Sequence, residues 1–321
     1  MLSAGHLSEK YLKMFHRDEG EKTMSVHVLE NEMLKVTVAD KGAELISVFD
    51  KENETERMWD ANPAVWNRHA PILFPFVGKV AKGVYRYEGK EYEMKTQHGF
   101  ARDMEFCCIK EDGQSVTHCL KATEDTKKIY PFDFELYVTH SLDASSPRKL
   151  KVQWEIKNKG SKEMLYSIGG HPGFRTPAKK NEDRSDYYLE FPQKDTVEYV
   201  LLNPATGLVV RERTNRLQLE NGFYPIARDL FDQDALVFEE SQIEKVRIAK
   251  PDKTPYVTLE CAGFPYVGIW SKPEGNFVCL EPWYGRTDND GFEGPLQEKA
   301  GEQVLSAGES KRIDYTMEFH K

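Results

Sequence analysis

Short runs of alternating apolar and polar residues, separated by turn-forming residues, fill the sequence from residue 25 to its end. A period of two is typical of strands that bury one face. The clearest runs are Val26–Leu29, Leu34–Val38, Ala43–Phe49 and Lys149–Ile156. Glycine-containing turns recur between such runs, at Glu88–Lys90, Asp112–Gly113, Asn158–Gly160 and Ala307–Glu309. Because no long helical periodicity interrupts this series, the pattern predicts an all-β chain of antiparallel strands, either a sandwich or a barrel.

The domain organisation follows from the same series. Proline and glycine are spread through the chain after residue 24, and no low-complexity or like-charge block divides it, so residues 25–321 are expected to form one large domain. Residues 1–24 are expected to be an N-terminal extension: a short amphipathic helix around Leu7–Phe15, a disordered tail, or an upstream start that the fold does not need. Charges are scattered through this extension without a continuous apolar stretch, which argues against a secretory signal.

Composition excludes several classes of protein. The sequence is 39% hydrophobic and 30% charged, and no apolar run approaches the ~18 residues of a membrane helix. A net charge of −9 argues against a nucleic-acid-binding surface, which needs clustered Lys and Arg. The five cysteines are an odd number without CxxC spacing or nearby histidine pairs. The sequence therefore indicates neither a disulfide framework nor a zinc site, and a reducing cytoplasm is expected.

The segment Ser167–Phe174, with the sequence SIGGHPGF, places His171 in a backbone too rich in glycine and proline for an ordinary strand interior. Histidine has an unperturbed pKa of about 6.5 and exchanges protons near neutral pH. A turn in which the imidazole bonds a carbonyl group fits the segment equally well. The charged stretch Arg175–Tyr187 that follows is predicted to be a solvated loop placed to border a binding cleft.

Two further segments carry candidate groups. His98 is followed by Gly99 and Phe100, which indicates an imidazole next to an aromatic side chain. A loop histidine bonded to the backbone is the simpler interpretation. Glu281 ends an apolar run and precedes Trp283 and Tyr284. Apolar surroundings raise the pKa of a carboxyl group toward the range useful in proton transfer, whereas the structural alternative is a salt bridge to Arg286. Aromatic side chains stack on the C–H faces of sugars, so a small polyol-like substrate is indicated.

Four motifs in this order resemble the aldose 1-epimerase (galactose mutarotase-like) superfamily, and within it the LacX-like subgroup. The motifs are Trp66–Lys79, Gln97–Arg102, Gly170–Phe174 and Leu280–Trp283. The resemblance covers the chain from about Met24 to its end and implies a large antiparallel β-supersandwich with the sugar in an open cleft. It also implies interconversion of the α and β anomers of aldoses without a cofactor, and the sequence contains no cofactor motif.

The resemblance assigns roles residue by residue. His171 matches the general acid that protonates the ring oxygen, Glu281 matches the general base that takes the proton of the anomeric hydroxyl, and His98 matches a second histidine that hydrogen-bonds the sugar. Trp283 is expected beside the substrate. Lys79 stands where the better-known galactose mutarotases have an arginine, which leaves hydroxyl discrimination open. Asp234 corresponds loosely to an aspartate that holds a sugar hydroxyl, and Asp232 competes with it for that match.

Several functions remain open at this point. Arg68, Lys79 and Arg102 would suit a phosphate, as in the hexose-6-phosphate epimerases of the same superfamily. A non-catalytic carbohydrate-binding or sensing protein is the alternative from another class. A glycosidase is disfavoured because it needs paired carboxylates, and a β protein without a ligand would leave the two histidines and Glu281 far apart. The expected partner is a small aldose or aldose phosphate, with neither nucleic acid nor membrane, and edge strands would allow a homodimer.

Overall fold

A computed structural model describes residues 25–321, without the side chains of residues 211–213. The extension predicted for residues 1–24 lies outside the described residues. The described chain forms twenty-five strands, and their bounds are β1 Val26–Glu30, β2 Leu34–Ala39, β3 Leu45–Asp50, β4 Thr55–Glu56, β5 Ile72–Leu73, β6 Val84–Tyr87, β7 Lys90–Glu93, β8 Cys107–Glu111, β9 Ser115–Lys121, β10 Phe134–Leu142, β11 Lys149–Asn158, β12 Met164–Tyr166, β13 Ile168–Gly170, β14 Gly173–Arg175, β15 Tyr188–Glu190, β16 Thr196–Leu202, β17 Val209–Gln218, β18 Phe223–Pro225, β19 Leu236–Phe238, β20 Lys245–Ala249, β21 Pro255–Glu260, β22 Tyr266–Trp270, β23 Phe277–Tyr284, β24 Gln303–Leu305 and β25 Ser310–Phe319.

Helical structure in the described residues is short. The α-helix α1 spans Glu124–Ile129 and begins with a capping box, in which the hydroxyl of Thr123 accepts from the backbone N–H of Thr126 and the hydroxyl of Thr126 accepts from the N–H of Thr123. Four single turns of 3₁₀-helix lie at Ala81–Gly83, Ala101–Asp103, Arg184–Asp186 and Leu296–Glu298. In the part of the chain that the structure describes, we find no helix that combines the length and the apolarity needed to cross a bilayer.

The predicted all-β fold is confirmed. Two large antiparallel sheets dominate the structure, one of nine strands in the order β18-β15-β20-β21-β25-β11-β10-β9-β8 and one of eight strands in the order β17-β16-β19-β22-β23-β13-β5. β14 also pairs with β23. A four-stranded sheet, β1-β2-β3-β4, and two hairpin-sized sheets, β12-β24 and β6-β7, complete the architecture.

The predicted runs become strands with nearly the expected bounds. Strands β1, β2, β3 and β11 cover the four runs, and in β10 and β11 every second residue is buried. β3 begins only at Leu45, because Ala43 has a positive φ of 45° in the turn before it. The main buried cluster draws on both large sheets, with Trp154 of β11 and Leu280 of β23 among its members. The core therefore lies between the sheets, and β23 passes along it.

A buried ion cluster joins the four-stranded sheet to the end of the chain. Oδ2 of Asp50, whose side chain is 0% exposed, accepts from Arg57 at 2.5 Å and from Arg148 at 2.9 Å. Arg57 also donates to the backbone carbonyl of His320. Burial alone would raise the pKa of Asp50, but hydrogen bonds from Arg57, Asn53 and Arg148 outweigh it and lower the pKa from 3.8 to about 2.

We predict that Asp50→Asn lowers the free energy of unfolding by about 3–5 kcal/mol, because it leaves two guanidinium groups without their buried counter-charge. The folded-state pKa is depressed, so this contribution is fully present above pH 3.8 and is lost as pH falls toward 2. Urea unfolding of both proteins across this range measures it. Glu52→Gln, which removes an exposed partner of Arg148, is the control and should change stability far less. Equal losses in the two variants would contradict this account.

Candidate active site

His171 lies where the chain crosses from β13 to β14, two short strands that both pair antiparallel with β23. The residue pairs that flank the crossing are Gly169 with Trp283 and Gly173 with Cys279. His171 lies midway between Gly169 and Gly173, and Glu281 lies midway between their partners Cys279 and Trp283 on β23. The two side chains are therefore brought together by strand register, although they are 110 positions apart (281 minus 171) in the sequence.

Glycines on both neighbouring strands make room beside this pair. A Cβ atom at Gly169 would lie 2.5 Å from Cδ1 of Trp283, and one at Gly268 of β22 would lie 2.3 Å from two atoms of the same indole. Both distances are shorter than side chains tolerate, so Trp283 requires glycine at these two positions. The indole consequently lies against the sheet next to Glu281.

The acid and the imidazole form a close, buried pair. Nε2 of His171 is 3.1 Å from Oε2 of Glu281, and their side chains are 10% and 1% exposed. Burial raises the pKa of Glu281 well above its usual range, and the negative charge of Asp234 acts in the same direction. Burial lowers the pKa of His171 to about 3. Near neutral pH these directions favour a protonated Glu281 beside a neutral imidazole, so the pair holds one transferable proton.

His98 faces this pair in a fixed tautomer. It has a positive φ of 68° and its ring centroid lies 5.5 Å from that of His171, with the two rings at 89°. The backbone N–H of Gly78 donates to Nδ1 at 3.0 Å, so in the neutral ring Nε2 carries the hydrogen. Burial, with the nearby charges of Arg102, Arg68 and Lys79, lowers the pKa of His98 well below its ordinary value. His98 is therefore a neutral donor at Nε2, and the side-chain amide of Gln97 lies 2.9 Å from that nitrogen.

These residues lie on a cavity of about 500 Å³, which is within the size range of small-molecule sites. Its apolar lining includes Trp66, Phe231, Trp270 and Trp283. The ring of Trp66 is 5.0 Å from that of His171 at an angle of 31°, and the ring of Trp270 is 5.6 Å away at 83°. Aromatic faces thus surround the imidazole, while a few polar groups point into the same space.

The structure brings most of the expected site residues to this cavity. Its lining contains His98, Arg102, His171, Asp234, Glu281 and Trp283, together with Asp232. Asp232 and Asp234, the two candidates for the aspartate that holds a sugar hydroxyl, therefore both reach the cavity. Only Asp234 is among the groups that raise the pKa of Glu281. The salt bridge of Glu281 to Arg286 does not form, since Nε of Arg286 donates to Glu239 at 2.6 Å.

Two expected residues lie outside the lining. Arg68 donates to Oδ1 of Asp103 at 2.5 Å and to the carbonyl oxygen of Arg102 at 3.2 Å. Nζ of Lys79 donates to the carbonyl oxygen of Thr206 at 3.2 Å. Each cation donates to a partner of its own, and the charges of both help to lower the pKa of His98.

Sequence analysis did not single out Gln97, Trp270 or Lys272, all of which line the cavity. The available signal was the apolar run 264–270, which ends at Trp270 directly before Ser271 and Lys272. The predicted loop 175–187 does not line the cavity but supports it, because the buried guanidinium of Arg184 donates to Oγ of Ser271 and to the carbonyl oxygens of Lys272 and Gly275.

His171, Glu281 and Cys279 also form a group able to hold a metal ion. All three are buried, and one donor atom from each lies within 4.8 Å of the others. Cys279 and Glu281 share one face of β23 because they are two residues apart. Burial raises the pKa of the Cys279 thiol well above its usual range, and the charge of Glu281 acts in the same direction.

Comparisons with known proteins show which family and fold this chain is similar to. The family model described as Aldose 1-epimerase matches residues 25–312. The chain is 30% identical over 264 residues to the chromosomal protein LacX of Lactococcus lactis subsp. lactis, covering 80% of this chain and 87% of that protein. It is also similar to the solved structures of a galactose mutarotase related enzyme from Lactobacillus acidophilus (TM-score 0.86, 34% identity, 92% of this chain and 98% of that one) and of a galactose mutarotase-like protein from Lactobacillus casei ATCC 334 (TM-score 0.83, 32% identity, 92% and 100%).

We predict that Asp234→Asn lowers the pKa of Glu281, because it removes a negative charge that disfavours the ionised carboxylate. Infrared spectroscopy follows the band of the protonated carboxyl group against pH, and Glu281→Gln identifies that band by its loss. Asp232→Asn, which neutralises the other aspartate of the lining, is the matched control and should leave the titration midpoint in place. An unchanged midpoint in Asp234→Asn, or equal shifts in both variants, would contradict the electrostatic link.

Proposed function

This chain belongs to the aldose 1-epimerase family, and we propose that it interconverts the α and β anomers of an aldohexose by acid–base ring opening and reclosure. One observation carries the proposal: a buried carboxyl group lies 3.1 Å from a buried imidazole on the wall of a cavity lined with aromatic rings. Among the described residues the carboxyl oxygens of Glu281 make no well-directed hydrogen bond, although the side chains of His171 and Trp283 lie beside them. Sugar hydroxyl groups would supply the missing donors.

The proposed reaction conserves protons. Glu281 takes the proton of the anomeric hydroxyl while Nε2 of His171 gives a proton to the ring oxygen, and the bond between C1 and the ring oxygen breaks. The aldehyde forms, C1 rotates about its bond to C2, and the ring closes on either face with the two roles reversed. An acid and a base positioned in this way are each worth roughly 10²–10⁴-fold. Mutarotation, which already proceeds slowly in water, needs no more than this.

The proton shared by Glu281 and His171 explains how one buried pair can catalyse both ring opening and ring closure. In the site without a sugar, burial favours the proton on Glu281. Sugar hydroxyls that donate to Oε1 and Oε2 stabilise the carboxylate and so favour moving the proton to His171. The pair then matches the roles that the family resemblance implies, with His171 as the acid and Glu281 as the base. Its titration belongs to the pair rather than to either residue.

The remaining site residues are proposed to orient the sugar. Nε2 of His98 lies 2.9 Å from the side-chain amide of Gln97, and a sugar oxygen is proposed to take over this contact, because Nδ1 is already occupied by the N–H of Gly78. Asp234 accepts from a sugar hydroxyl. The indoles of Trp66, Trp270 and Trp283 offer apolar faces to the sugar C–H groups.

We expect Glu281→Gln and His171→Asn each to lower the catalytic rate constant by roughly 10²–10⁴-fold. Optical rotation of freshly dissolved α-glucose and α-galactose measures the rate above the spontaneous one. Glu302→Gln is the matched control: Glu302 also has a pKa raised by burial, to about 7, but it accepts from Ser167 and lies outside the cavity lining. Its activity should be close to that of the natural protein.

Two results would overturn the proposal. One is that no aldose in a panel of hexoses and pentoses anomerises faster with the protein than without it. The other is unchanged activity in Glu281→Gln. Calorimetry that detects sugar binding without any acceleration would instead support the carbohydrate-binding alternative.

A phosphorylated hexose is a second candidate substrate, favoured by the cations of the cavity wall. Arg102 and Lys272 both line the cavity, and Nε of Arg102 has no hydrogen-bond partner among the described residues. Guanidinium groups bind phosphate readily, whereas a neutral sugar does not require such a charge.

If the substrate carries a phosphate, Arg102→Gln will raise KM for glucose 6-phosphate and leave the turnover of glucose unaffected. Lys95→Gln, a charge change at an exposed lysine paired with Glu93, serves as the control for net charge. NMR exchange spectroscopy on both sugars gives the rates. Equal effects of Arg102→Gln on both sugars would argue for a role in the common site and against a phosphate subsite.

A further inference from the structure

A second group of metal-ligating side chains lies away from the cavity. His27 of β1, Cys108 of β8 and His118 of β9 each offer one donor atom, and the three atoms lie within 4.8 Å of one another. None of these residues lines the cavity described above. Two carboxylates border the group, those of Asp40 and Glu111.

Strand pairing places these residues together. Cys108 is directly opposite His118 in the antiparallel pair of β8 and β9, so their side chains share one face of the sheet. His27 reaches that face from β1. β8 is the edge of the nine-stranded sheet, and β1 is the edge of the four-stranded sheet. The group therefore bridges the edges of two sheets.

Carboxylates contact three of the four imidazole nitrogens of this group, and the fourth, Nδ1 of His118, has no partner among the described residues. Oδ1 of Asp40 lies 3.0 Å from Nε2 of His27 and 3.1 Å from Nε2 of His118, and Oε2 of Glu111 lies 2.8 Å from Nδ1 of His27. The side chain of His118 is 0% exposed, and its Nδ1 has no hydrogen-bond partner within residues 25–321. A fully buried imidazole with an unsatisfied nitrogen is uncommon in a folded protein.

We propose that His27, Cys108 and His118 bind a divalent cation of the zinc type, with the fourth position taken by water or by one of the bordering carboxylates. Two imidazoles and one thiolate form a ligand set that suits Zn²⁺ and related borderline cations, and does not suit Mg²⁺ or Ca²⁺. With bonds of about 2.0–2.3 Å, the donor atoms need to contract onto the ion by roughly 1 Å. His27 and Cys108 are only partly buried, so their side chains have room for this movement.

Asp40 would act as the outer partner of the site. A carboxylate that accepts from the second nitrogen of a metal-bound histidine fixes the orientation of the ring. Asp40 already contacts both imidazoles through one oxygen. A bound ion would then join β1 to the edge strand β8, and the free energy of unfolding would rise with the logarithm of the free ion concentration.

The expectation of no zinc site rested on the spacing of the cysteines along the sequence. The three ligands come from positions 27, 108 and 118, on three strands. No short motif links them, and only the pairing of β8 with β9 places the thiol opposite an imidazole.

The test titrates the chelator-treated full chain with Zn²⁺ by calorimetry and counts bound metal by elemental analysis. We expect one tight equivalent and, with Co²⁺, a thiolate-to-cobalt charge-transfer band. Cys108→Ser should abolish that band and weaken Zn²⁺ binding by at least the 10–100-fold that loss of an outer partner costs. The matched control is Cys107→Ser, because Cys107 is the preceding exposed cysteine and faces Cys119 across β8 and β9. It should bind as the natural protein does.

A second variant guards against misfolding. His27→Gln, a substitution on β1, should weaken Zn²⁺ binding about as much as Cys108→Ser does. Circular dichroism checks that the variant keeps the native fold. The proposal is overturned by the absence of a stoichiometric equivalent, by unchanged binding in Cys108→Ser, or by loss of the equivalent in Cys279→Ser, which would place the ion in the cavity. Metal binding is read without any sugar, so its failure leaves the proposed epimerase activity standing.

Discussion

The pairing of two short strands with β23 is the constraint on which the candidate site depends. β13 and β14 pair with the same strand on either side of a two-residue gap, and this register fixes His171 against Glu281. A slip of one residue would turn every side chain of β23 to the opposite face and separate the pair. Apolar residues of β23 such as Leu280 lie in the main core. The packing that stabilises the sheets therefore also holds the reacting groups in place.

Burial raises the pKa of Glu281 and lowers the pKa of His171. It disfavours the charge of Glu281 and the charge of His171 alike, so the neutral forms prevail and the pair retains a single proton. The cationic side chains around His98 add to this by keeping its ring neutral. The cavity thus has a proton donor, a proton acceptor and a fixed neutral donor within one small volume, without requiring a charged group to be buried alone.

Sequence reasoning predicted the fold and the centre of the site better than the periphery. Alternation predicted the strands, and the family resemblance carried by four ordered motifs predicted that His98, His171 and Glu281 would meet. The outer residues depend on distant partners that local sequence does not reveal. Lys79 is drawn to the carbonyl oxygen of Thr206, 127 positions away, and Arg68 to Asp103. The contribution of Trp270 depends on where β22 ends relative to the cavity, which the register with β23 decides.

The parts of the cavity wall differ in how they are built. Glu281 and Trp283 belong to the central strand β23, and His171 lies in the crossing between two strands that pair with it. Lys272 and Pro273 come from the connection after β22, and Pro204 comes from the connection after β16. Connections of this kind tolerate substitution and insertion more readily than paired strands. In the proposed reaction this division separates reactivity from substrate choice: exchanging a few loop residues would change which sugar is held without rebuilding the strands that carry the acid–base pair, so divergence of specificity requires no redesign of the scaffold.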